Sequence, residues 1–307
     1  MLVSIIIPVY NHATYLKTAL KSIQRQTYSK IEVIAVDDAS TDQSHEALQA
    51  IAEADKRIIV LKNDQNSGIV ASLNRGIMRA KGDIIARMDA DDISHSDRIY
   101  QQLNYLIENN YDLVGSKVRY LTEDGTIIGL SKHLTDNEIV RQLRFRSTIG
   151  HPTWLLKREL YKKLGGYRDV APAEDYDFLC RAAKVGAKLS MLDAPLLDFR
   201  TKQHAGGTAL SMGLVQRKMF NYVHRMNFSN ARYSESVINR IRNSSSCSKA
   251  RFTISQRILM LGHKKRHQGR YLYATLLTAV ASVISFYQLQ FIIRALVSKF
   301  TVFSKEK

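Results

Sequence analysis

The sequence has little cysteine. Cys180 and Cys247 are the only two among 307 residues, too few and too far apart for a disulfide framework. A chain of this kind is expected in a reducing compartment. It also lacks a signal-peptide pattern, because the apolar run at residues 3–9 has no basic segment before it and is interrupted by Pro8. These absences together predict a cytoplasmic protein.

The last third of the chain lacks acidic residues. Residues 201–307 hold 18 Lys and Arg against two acids, Glu235 and Glu306, whereas residues 1–200 hold 27 against 26. The formal net charge of +17 therefore belongs almost wholly to the last third. A cationic extension attracts anions, and its two usual partners are nucleic acid and anionic lipid.

Apolar runs alternate with helical patterns in the first 90 residues. Short runs at 3–9, 31–36, 57–61 and 83–88 predict buried strands, and the segments between them predict helices. Strands that alternate with helices form right-handed βαβ units. The predicted fold class is therefore α/β, with a mainly parallel, Rossmann-like sheet flanked by helices. Ligands bind such sheets beyond the carboxyl ends of the strands.

Acidic residues follow the fourth predicted strand as Asp89-Ala90-Asp91-Asp92. Carboxylates two residues apart on an extended backbone can point the same way. One can then bind Mg²⁺ or Mn²⁺, which prefer oxygen ligands, while another meets a substrate hydroxyl. The alternative is an ordinary acidic loop that caps the next helix.

Two further polar clusters lie near the predicted strand ends. In the first, Ser40, Thr41 or Asp42 is expected to cap the next helix, which leaves Asp38 unexplained. The second is the triplet Asn66-Ser67-Gly68, for which a turn and a phosphate or base contact are equally consistent with the sequence.

Seven motifs occur in the order found in the family 2 glycosyltransferases of GT-A fold, which residues 2–211 resemble. Each motif is common alone, but the ordered set is specific. They are Pro8-Val9-Tyr10-Asn11, Asp37-Asp38-Ala39-Ser40-Thr41-Asp42, Asn66-Ser67-Gly68, Gly82-Asp83, Asp89-Ala90-Asp91-Asp92, Gly165-Gly166-Tyr167 and Glu174-Asp175-Tyr176-Asp177.

The resemblance implies roles for individual residues. Asp91 is implied to bind the Mn²⁺ or Mg²⁺ that neutralises the leaving diphosphate. Asp175 resembles the catalytic base that deprotonates the acceptor hydroxyl, and Glu174 would orient the acceptor or tune Asp175. The residues implied to bind the nucleotide-sugar donor are Pro8, Tyr10, Asn11, Asp38, Asn66, Asp89 and His204.

Two histidines have alternative interpretations. Arg200 and His204 resemble an Arg-then-His pattern in which the histidine approaches the diphosphate or the metal from a glycine-containing loop. A surface histidine is the alternative. His151 resembles a family segment on the acceptor side, but it could equally be structural.

The Gln-x-x-Arg-Trp signature of processive members is absent, which predicts single sugar addition.

Residues 271–293 form an uncharged run between the basic residues 264–270 and Arg294. About 20 apolar residues cross a bilayer, but four hydroxyl residues form a polar stripe along this run. They are Thr275, Thr278, Ser282 and Ser285. We therefore favour a helix that lies in the membrane plane. The alternatives are a helix that spans the membrane and a helix that packs within the domain. The basic flanks would contact anionic headgroups.

The predicted organisation is a GT-A domain at 1–211 and a basic, largely helical, membrane-associating region at 212–307. Within the first, residues up to about 115 are expected to bind the nucleotide sugar, and residues from about 116 to 211 the acceptor. The chain is expected at the cytoplasmic face of the inner membrane, as a peripheral or monotopic protein.

The predicted activity is that of an inverting, metal-dependent hexosyltransferase. It would move glucose or galactose from a UDP-sugar to a polyprenyl-diphosphate-linked acceptor, in O-antigen (lipopolysaccharide) or capsule repeat-unit synthesis. A teichoic-acid or protein glycosyltransferase is the first alternative. A nucleic-acid-binding protein is the alternative from another class, and against it no RNA- or DNA-binding motif is found.

Overall fold

The computed structural model describes residues 1–201, 208–229, 231–285, 287, 289–290 and 292–293. The chain divides into two compact units, Met1–Gln203 and His204–Lys307. The boundary predicted from composition, after residue 211, lies a few residues beyond this division.

The first unit begins with strands and helices in strict alternation. For the segments whose two ends the sequence predicts, the observed bounds agree with the predicted ones to within one or two residues. The elements are β1 (Val3–Val9), α1 (Ala13–Gln24), β2 (Ile31–Asp37), α2 (Ser44–Ala54), β3 (Ile58–Lys62), α3 (Gly68–Arg79) and β4 (Ile84–Arg87).

The remainder of the first unit is less regular. The elements are β5 (Ile93–Ser94), α4 (Arg98–Glu108), β6 (Leu113–Leu121), β7 (Ile127–Leu130), α5 (Asp136–Gln142), a 3-10 turn (His151–Thr153), β8 (Leu155–Lys157), α6 (Arg158–Leu164), α7 (Glu174–Lys184) and β9 (Leu189–Arg200).

The nine strands form one mixed sheet in the order β3-β2-β1-β4-β8-β6-β9-β5, with β7 paired to β6. Strands β1 to β4 are mutually parallel, and β8 runs antiparallel to both β4 and β6. After β3 the chain passes back across β1 to form β4. The strand order therefore reverses beside β1, and such a reversal opens a crevice at the carboxyl ends of the strands.

Both faces of β1 are covered, which explains its continuous apolar run. Ile5 and Ile7 pack with Leu16 and Leu20 of α1 in one buried cluster. Ile6 faces α3, and a Cβ added to Gly76 would lie 2.7 Å from its Cγ2 atom. Glycine at this position allows α3 to approach the sheet closely.

The described part of the second unit consists of four helices, α8 (Thr208–Phe228), α9 (Glu235–Arg242), α10 (Ser246–His267) and α11 (Tyr271–Ile284). The predicted α/β class with a basic helical extension is confirmed.

Helix α11 packs against α10 with one side and exposes the other. Ala274 and Ala281 are buried, and the Ser255 hydroxyl donates to the carbonyl of Ala281 at 2.7 Å. Leu272 and Val283 on the open side are 88% and 84% exposed. No helix in the described ranges combines the length and apolar character that crossing a membrane requires.

Candidate active site

A pocket of about 260 Å³ lies at the carboxyl ends of β1 and β2, beside the first turn of α3. Its lining includes five residues of the predicted donor site, namely Pro8, Tyr10, Asp38, Asn66 and Asp89. The other lining residues are Val9, His12, Gly68, Ile69 and Ser72. The crevice expected from the strand order therefore holds most of the residues that the resemblance assigned to a nucleotide sugar.

Asn11 lies next to this pocket without lining it. Its backbone is left-handed, with φ of 56°, a conformation that asparagine tolerates better than most residues. Its Oδ1 accepts from the Thr41 amide at 2.8 Å, and its own amide donates to Ser40 Oγ at 3.1 Å. Asn11 thus ties the loop after β1 to the loop after β2, which shapes the rim of the pocket.

The Asp38 carboxylate is buried at the start of α3. Its Oδ1 accepts from Asn63 Nδ2 at 2.6 Å and from the Ser67 amide at 2.8 Å, and its Oδ2 accepts from the Gly68 amide at 2.8 Å. Amide groups at a helix start need such acceptors, and the helix dipole favours a negative charge there. Asp38 therefore holds the first turn of α3, with Asn66 and Gly68, at the pocket wall.

The loop after β2 also supports the start of two helices. Asp42 accepts from the Ala13 amide at 3.1 Å and from the Ser44 amide at 3.0 Å, the first residues of α1 and α2. The N-cap residue of α2 is Gln43, outside the predicted residues 40–42, and its side chain makes no capping bond, so the amide of the first helical residue is bonded by Asp42 instead. The capping role of Asp38 was not foreseen.

Three carboxylates converge after β4. One oxygen from each of Asp89, Asp91 and Asp92 lies within 4.8 Å of the others. Asp92 is 1% exposed and its Oδ2 is buried without a hydrogen-bond partner among the described residues. Burial, followed by repulsion from Asp89, raises the pKa of Asp92 to about 8. Three converging carboxylates, with Asp92 Oδ2 buried and unpartnered among the described residues, fit a divalent cation such as Mn²⁺ or Mg²⁺, which would relieve this repulsion.

Two arginines hold the acidic loop. Arg87 of β4 is buried, and its Nη2 lies 2.5 Å from Asp89 Oδ1. Arg200, at the end of β9, donates its amide to Asp92 Oδ1 at 3.0 Å and its Nε to the Asp91 carbonyl at 3.2 Å. The acidic loop is therefore braced from β4 and from β9.

Sequence reasoning missed Arg87, Asp92 and His12 as site residues. His12 lines the donor pocket, and its Nδ1 lies 3.9 Å from Asp91 Oδ2. The available signal for Arg87 was a charged side chain in an apolar strand, two residues before Asp89. His204 lies outside the described residues, so its predicted role stays a prediction.

Glu174 and Asp175 occupy the first turn of α7. Glu174 is 6% exposed with its Oε2 buried and unpartnered among the described residues, and Asp175 Oδ2 accepts from Ser147 Oγ at 3.2 Å. Burial, followed by the charge of Asp175, raises the pKa of Glu174 to about 7. Burial also raises the pKa of Asp175. Carboxylates with raised pKa values suit proton transfer near neutral pH.

The acidic loop after β4 and the carboxylates at the start of α7 are within electrostatic range of each other. The pKa of Glu174 is lowered by Arg87 and raised by Asp89, after the larger effects of burial and Asp175. Arg87 thus acts on the carboxylates at both ends of the site. Asp177, in the same α7 turn, is instead structural, because its Oδ2 accepts from Arg181 Nε at 2.7 Å.

His151 is buried in an aromatic cluster. Its Nε2 lies 2.9 Å from the Tyr167 hydroxyl, and its ring centroid lies 4.5 Å from that of Trp154. Burial, with a smaller contribution from Arg87, lowers its pKa well below the usual value. The structural interpretation of His151 is therefore confirmed.

Comparisons with known proteins agree with this geometry. A family model described as glycosyl transferase family 2 matches residues 4–165. An uncharacterized glycosyltransferase of Haemophilus influenzae is 33% identical over 211 residues, which is 65% of this chain and 65% of that protein's length. The O-antigen biosynthesis glycosyltransferase WbnJ of Escherichia coli is 30% identical over 181 residues, covering 59% of this chain and 71% of WbnJ.

A solved structure shares the fold. The S. aureus TarS 1–349 structure in complex with UDP-GlcNAc superposes with a TM-score of 0.61, covering 98% of this chain and 91% of that chain at 18% identity. The predicted GT-A fold is confirmed. Since the family model covers more than half of the residues and its motifs meet at one pocket, the chain belongs to glycosyltransferase family 2.

Proposed function

We propose that this glycosyltransferase is an inverting, metal-dependent hexosyltransferase that uses UDP-glucose or UDP-galactose as its donor. The observation that carries the proposal is the converging trio Asp89, Asp91 and Asp92, with Asp89 also lining the strand-end pocket. A nucleotide diphosphate needs both a pocket for its base and ribose and a neutralised diphosphate before it can leave.

The donor would bind in the pocket at the end of β1. Pro8 and Tyr10 offer an apolar and an aromatic surface, and Tyr10 is 43% exposed, which leaves its ring accessible to a base. Asp38 and Asn66 would contact the base or the ribose from the start of α3. Asp89 would contact the ribose or the donor sugar, and Asn11 would hold the rim.

Asp91, together with Asp89 and Asp92, would hold Mn²⁺ or Mg²⁺. The cation would supply positive charge that stabilises the diphosphate as it leaves. Arg87 and Arg200 would keep the carboxylates in place through the contacts described above. His204, which follows β9 in the sequence, would approach the diphosphate or the metal.

Asp175 would be the catalytic base. It would accept the proton of the acceptor hydroxyl as that oxygen attacks the anomeric carbon, and the bond to the diphosphate oxygen would break on the opposite face, its electron pair leaving with UDP. Inversion at the anomeric carbon follows. Glu174 would orient the acceptor or tune Asp175.

A polyprenyl-diphosphate-linked sugar is the proposed acceptor, in O-antigen or capsule repeat-unit assembly at the cytoplasmic face of the inner membrane. The similarity to WbnJ supports the pathway class. Two features support contact with an anionic lipid surface. Helix α11 has an exposed apolar face, and residues 201–307 hold 18 basic residues but only two acidic ones. We assign catalysis to residues 1–211 and membrane association to 212–307.

The test is nucleoside diphosphate release (UDP or GDP) by the purified full chain. UDP-glucose, UDP-galactose and, as a contrast, GDP-mannose are each supplied with Mn²⁺ and a short-chain polyprenyl-diphosphate sugar. Release that requires both the acceptor and the metal, and favours a UDP-sugar, supports the proposal. Turnover with GDP-mannose alone, or full turnover in EDTA, contradicts it. Retention on DNA but not on anionic vesicles would favour the nucleic-acid alternative.

A further inference from the structure

The second unit contains a basic pocket that the proposed sugar transfer does not use. It has a volume of about 330 Å³ and is formed by α8, α9 and the segment after α11. We define the basic pocket by its lining residues, which are Lys218, Asn221, Arg225, Val237, Arg240, Ile241, Tyr287 and Gln290.

The three cations of the basic pocket come from two helices. Lys218 and Arg225 lie seven residues apart on α8, which places them on one helical face. Arg240 is in the last turn of α9. None of the lining residues is acidic, and Glu235 is the only acid in the described part of this unit. Three positive charges therefore converge without a carboxylate in the lining.

Contacts within the unit hold the lining in place. Lys218 Nζ donates to Ser244 Oγ at 2.9 Å and lies 5.3 Å from the centroid of the Tyr287 ring. Asn221 Nδ2 donates to Gln290 Oε1 at 2.7 Å, which joins α8 to the segment after α11. Lys218 is partly buried, and burial, with a contribution from Lys249, lowers its pKa. A bound anion would favour the charged form of Lys218 and so offset both effects.

We propose that the basic pocket binds a phosphate-bearing ligand. A carboxylate carries one negative charge, whereas a phosphate monoester or a diphosphate carries close to two or more, which matches three converging cations. Arginine binds phosphate oxygens through two parallel hydrogen bonds, and the amides of Asn221 and Gln290 add polar groups to the wall. The volume accommodates a phosphate or diphosphate together with part of an attached group. The source is an anionic lipid headgroup or a soluble phosphate.

Titration calorimetry of the full chain with inorganic pyrophosphate tests the soluble source. EDTA is present throughout, because it prevents metal-assisted binding at Asp89, Asp91 and Asp92. The pocket variant is Arg225→Ala/Arg240→Ala, and both side chains are exposed, so the fold should tolerate their loss. The matched control is Arg251→Ala/Arg257→Ala, which removes two exposed arginines of α10 outside the pocket lining. We expect the pocket variant to bind about 10- to 100-fold more weakly and the control to match the unmodified chain.

Vesicles test the lipid source. Phosphatidylcholine vesicles with and without phosphatidylglycerol are sedimented with the same three proteins. A selective loss of binding by the pocket variant on either the pyrophosphate or the anionic-vesicle arm supports the proposal and names the source. The proposal is overturned if the pocket variant and the control behave alike on both arms. It is also overturned if they differ only in binding a DNA oligonucleotide, which would make nucleic acid the ligand. Because each readout is binding in EDTA, failure here leaves the proposed sugar transfer unaffected.

Discussion

Arg87 Nη2 lies 2.5 Å from Asp89 Oδ1, and this ion pair joins the buried Arg87 of β4 to the partly exposed acidic loop that follows it. Arg87 is 4% exposed, and its charge also lowers the pKa values of Glu174 and Asp175. One strand residue therefore acts on both the proposed metal site and the proposed base. This arrangement sets what each substitution below should do.

Replacement of Arg87 should destabilise the fold as well as the site. Arg87→Met removes a buried cation and leaves Asp89, whose side chain is 28% exposed, without its partner. We therefore expect a loss between the roughly 1 kcal/mol of an exposed pair and the roughly 3–5 kcal/mol of a fully buried one. The matched control is Arg57→Met, since Arg57 pairs with Asp55 at 2.7 Å but is partly exposed, and such pairs contribute about 1 kcal/mol or less. The free energy of unfolding in urea measures both. Equal losses for the two variants would contradict the assigned role of Arg87.

Loss of the proposed metal ligand should abolish turnover without unfolding the chain. Asp91→Asn keeps the shape and removes the charge, so we expect UDP release to fall by about 10²-fold or more and Mn²⁺ affinity to weaken. Asp193→Asn is the control, because this carboxylate is exposed and pairs only with Lys117. EDTA should silence the unmodified chain until Mn²⁺ or Mg²⁺ is restored. Activity of Asp91→Asn equal to that of the control would remove Asp91 from the metal site.

The proposed base should show itself in kcat and in its pH dependence. Asp175→Asn should lower kcat by about 10²–10⁴ with donor binding nearly unchanged. A base acts in its deprotonated form, and raised pKa values mean that this form is reached only at higher pH. The rate should therefore rise with pH, and the pKa of Glu174, about 7, sets the expected range if Glu174 participates.

Glu174→Gln provides the comparison. It removes the neighbouring charge, so the rising limb of the profile should move to lower pH while most of kcat is retained. If Glu174→Gln loses activity and Asp175→Asn keeps it, the two roles must be exchanged. Calorimetric titration with UDP checks that donor binding survives in both variants.

The exposed face of α11 should govern membrane binding. Burial of apolar surface contributes about 25 cal/mol per Å² and is not screened by salt, whereas basic residues near an anionic leaflet contribute about 1 kcal/mol each and are screened. Leu272→Ser/Leu276→Ser/Val283→Ser should therefore lose the salt-resistant fraction that sediments with anionic vesicles. Ile254→Ser/Met260→Ser changes exposed apolar residues of α10 and should retain it. Equal sedimentation of both variants would place membrane contact elsewhere.

A truncation that removes the uncharged run 271–293 would not be a clean test of membrane binding by the exposed face of α11. A cut just before the uncharged run falls close to α10, against which α11 packs through Ala274 and Ala281. Removing α11 exposes that face of α10 and changes the second unit itself. Point substitutions on the exposed side of α11 leave this packing intact.

The alternation of apolar runs and helical patterns was sufficient to predict β1 to β4 and the helices between them, because a strand buried on both faces must be apolar throughout. Residue order also determined which motifs follow strand ends, and hence that Tyr10, Asp38 and Asp89 meet at one edge of the sheet. Strands β8 and β9 escaped prediction. The first has only three residues. The composition of the second does not reveal a strand, which is defined instead by its pairing with the neighbouring strands.

Only the tertiary structure decided what the individual side chains do. Asp38 caps α3, although it precedes that helix by 30 residues, because β2 ends beside the helix start. The sequence alone does not explain the charge of Arg87 in an apolar strand. The structure does, because Asp89 and the acidic residues of α7 lie within its electrostatic range. The sequence determined the chemistry available at the edge of the sheet. Burial and long-range contacts decided which carboxylates are bound, which are left unpaired, and how far their pKa values move.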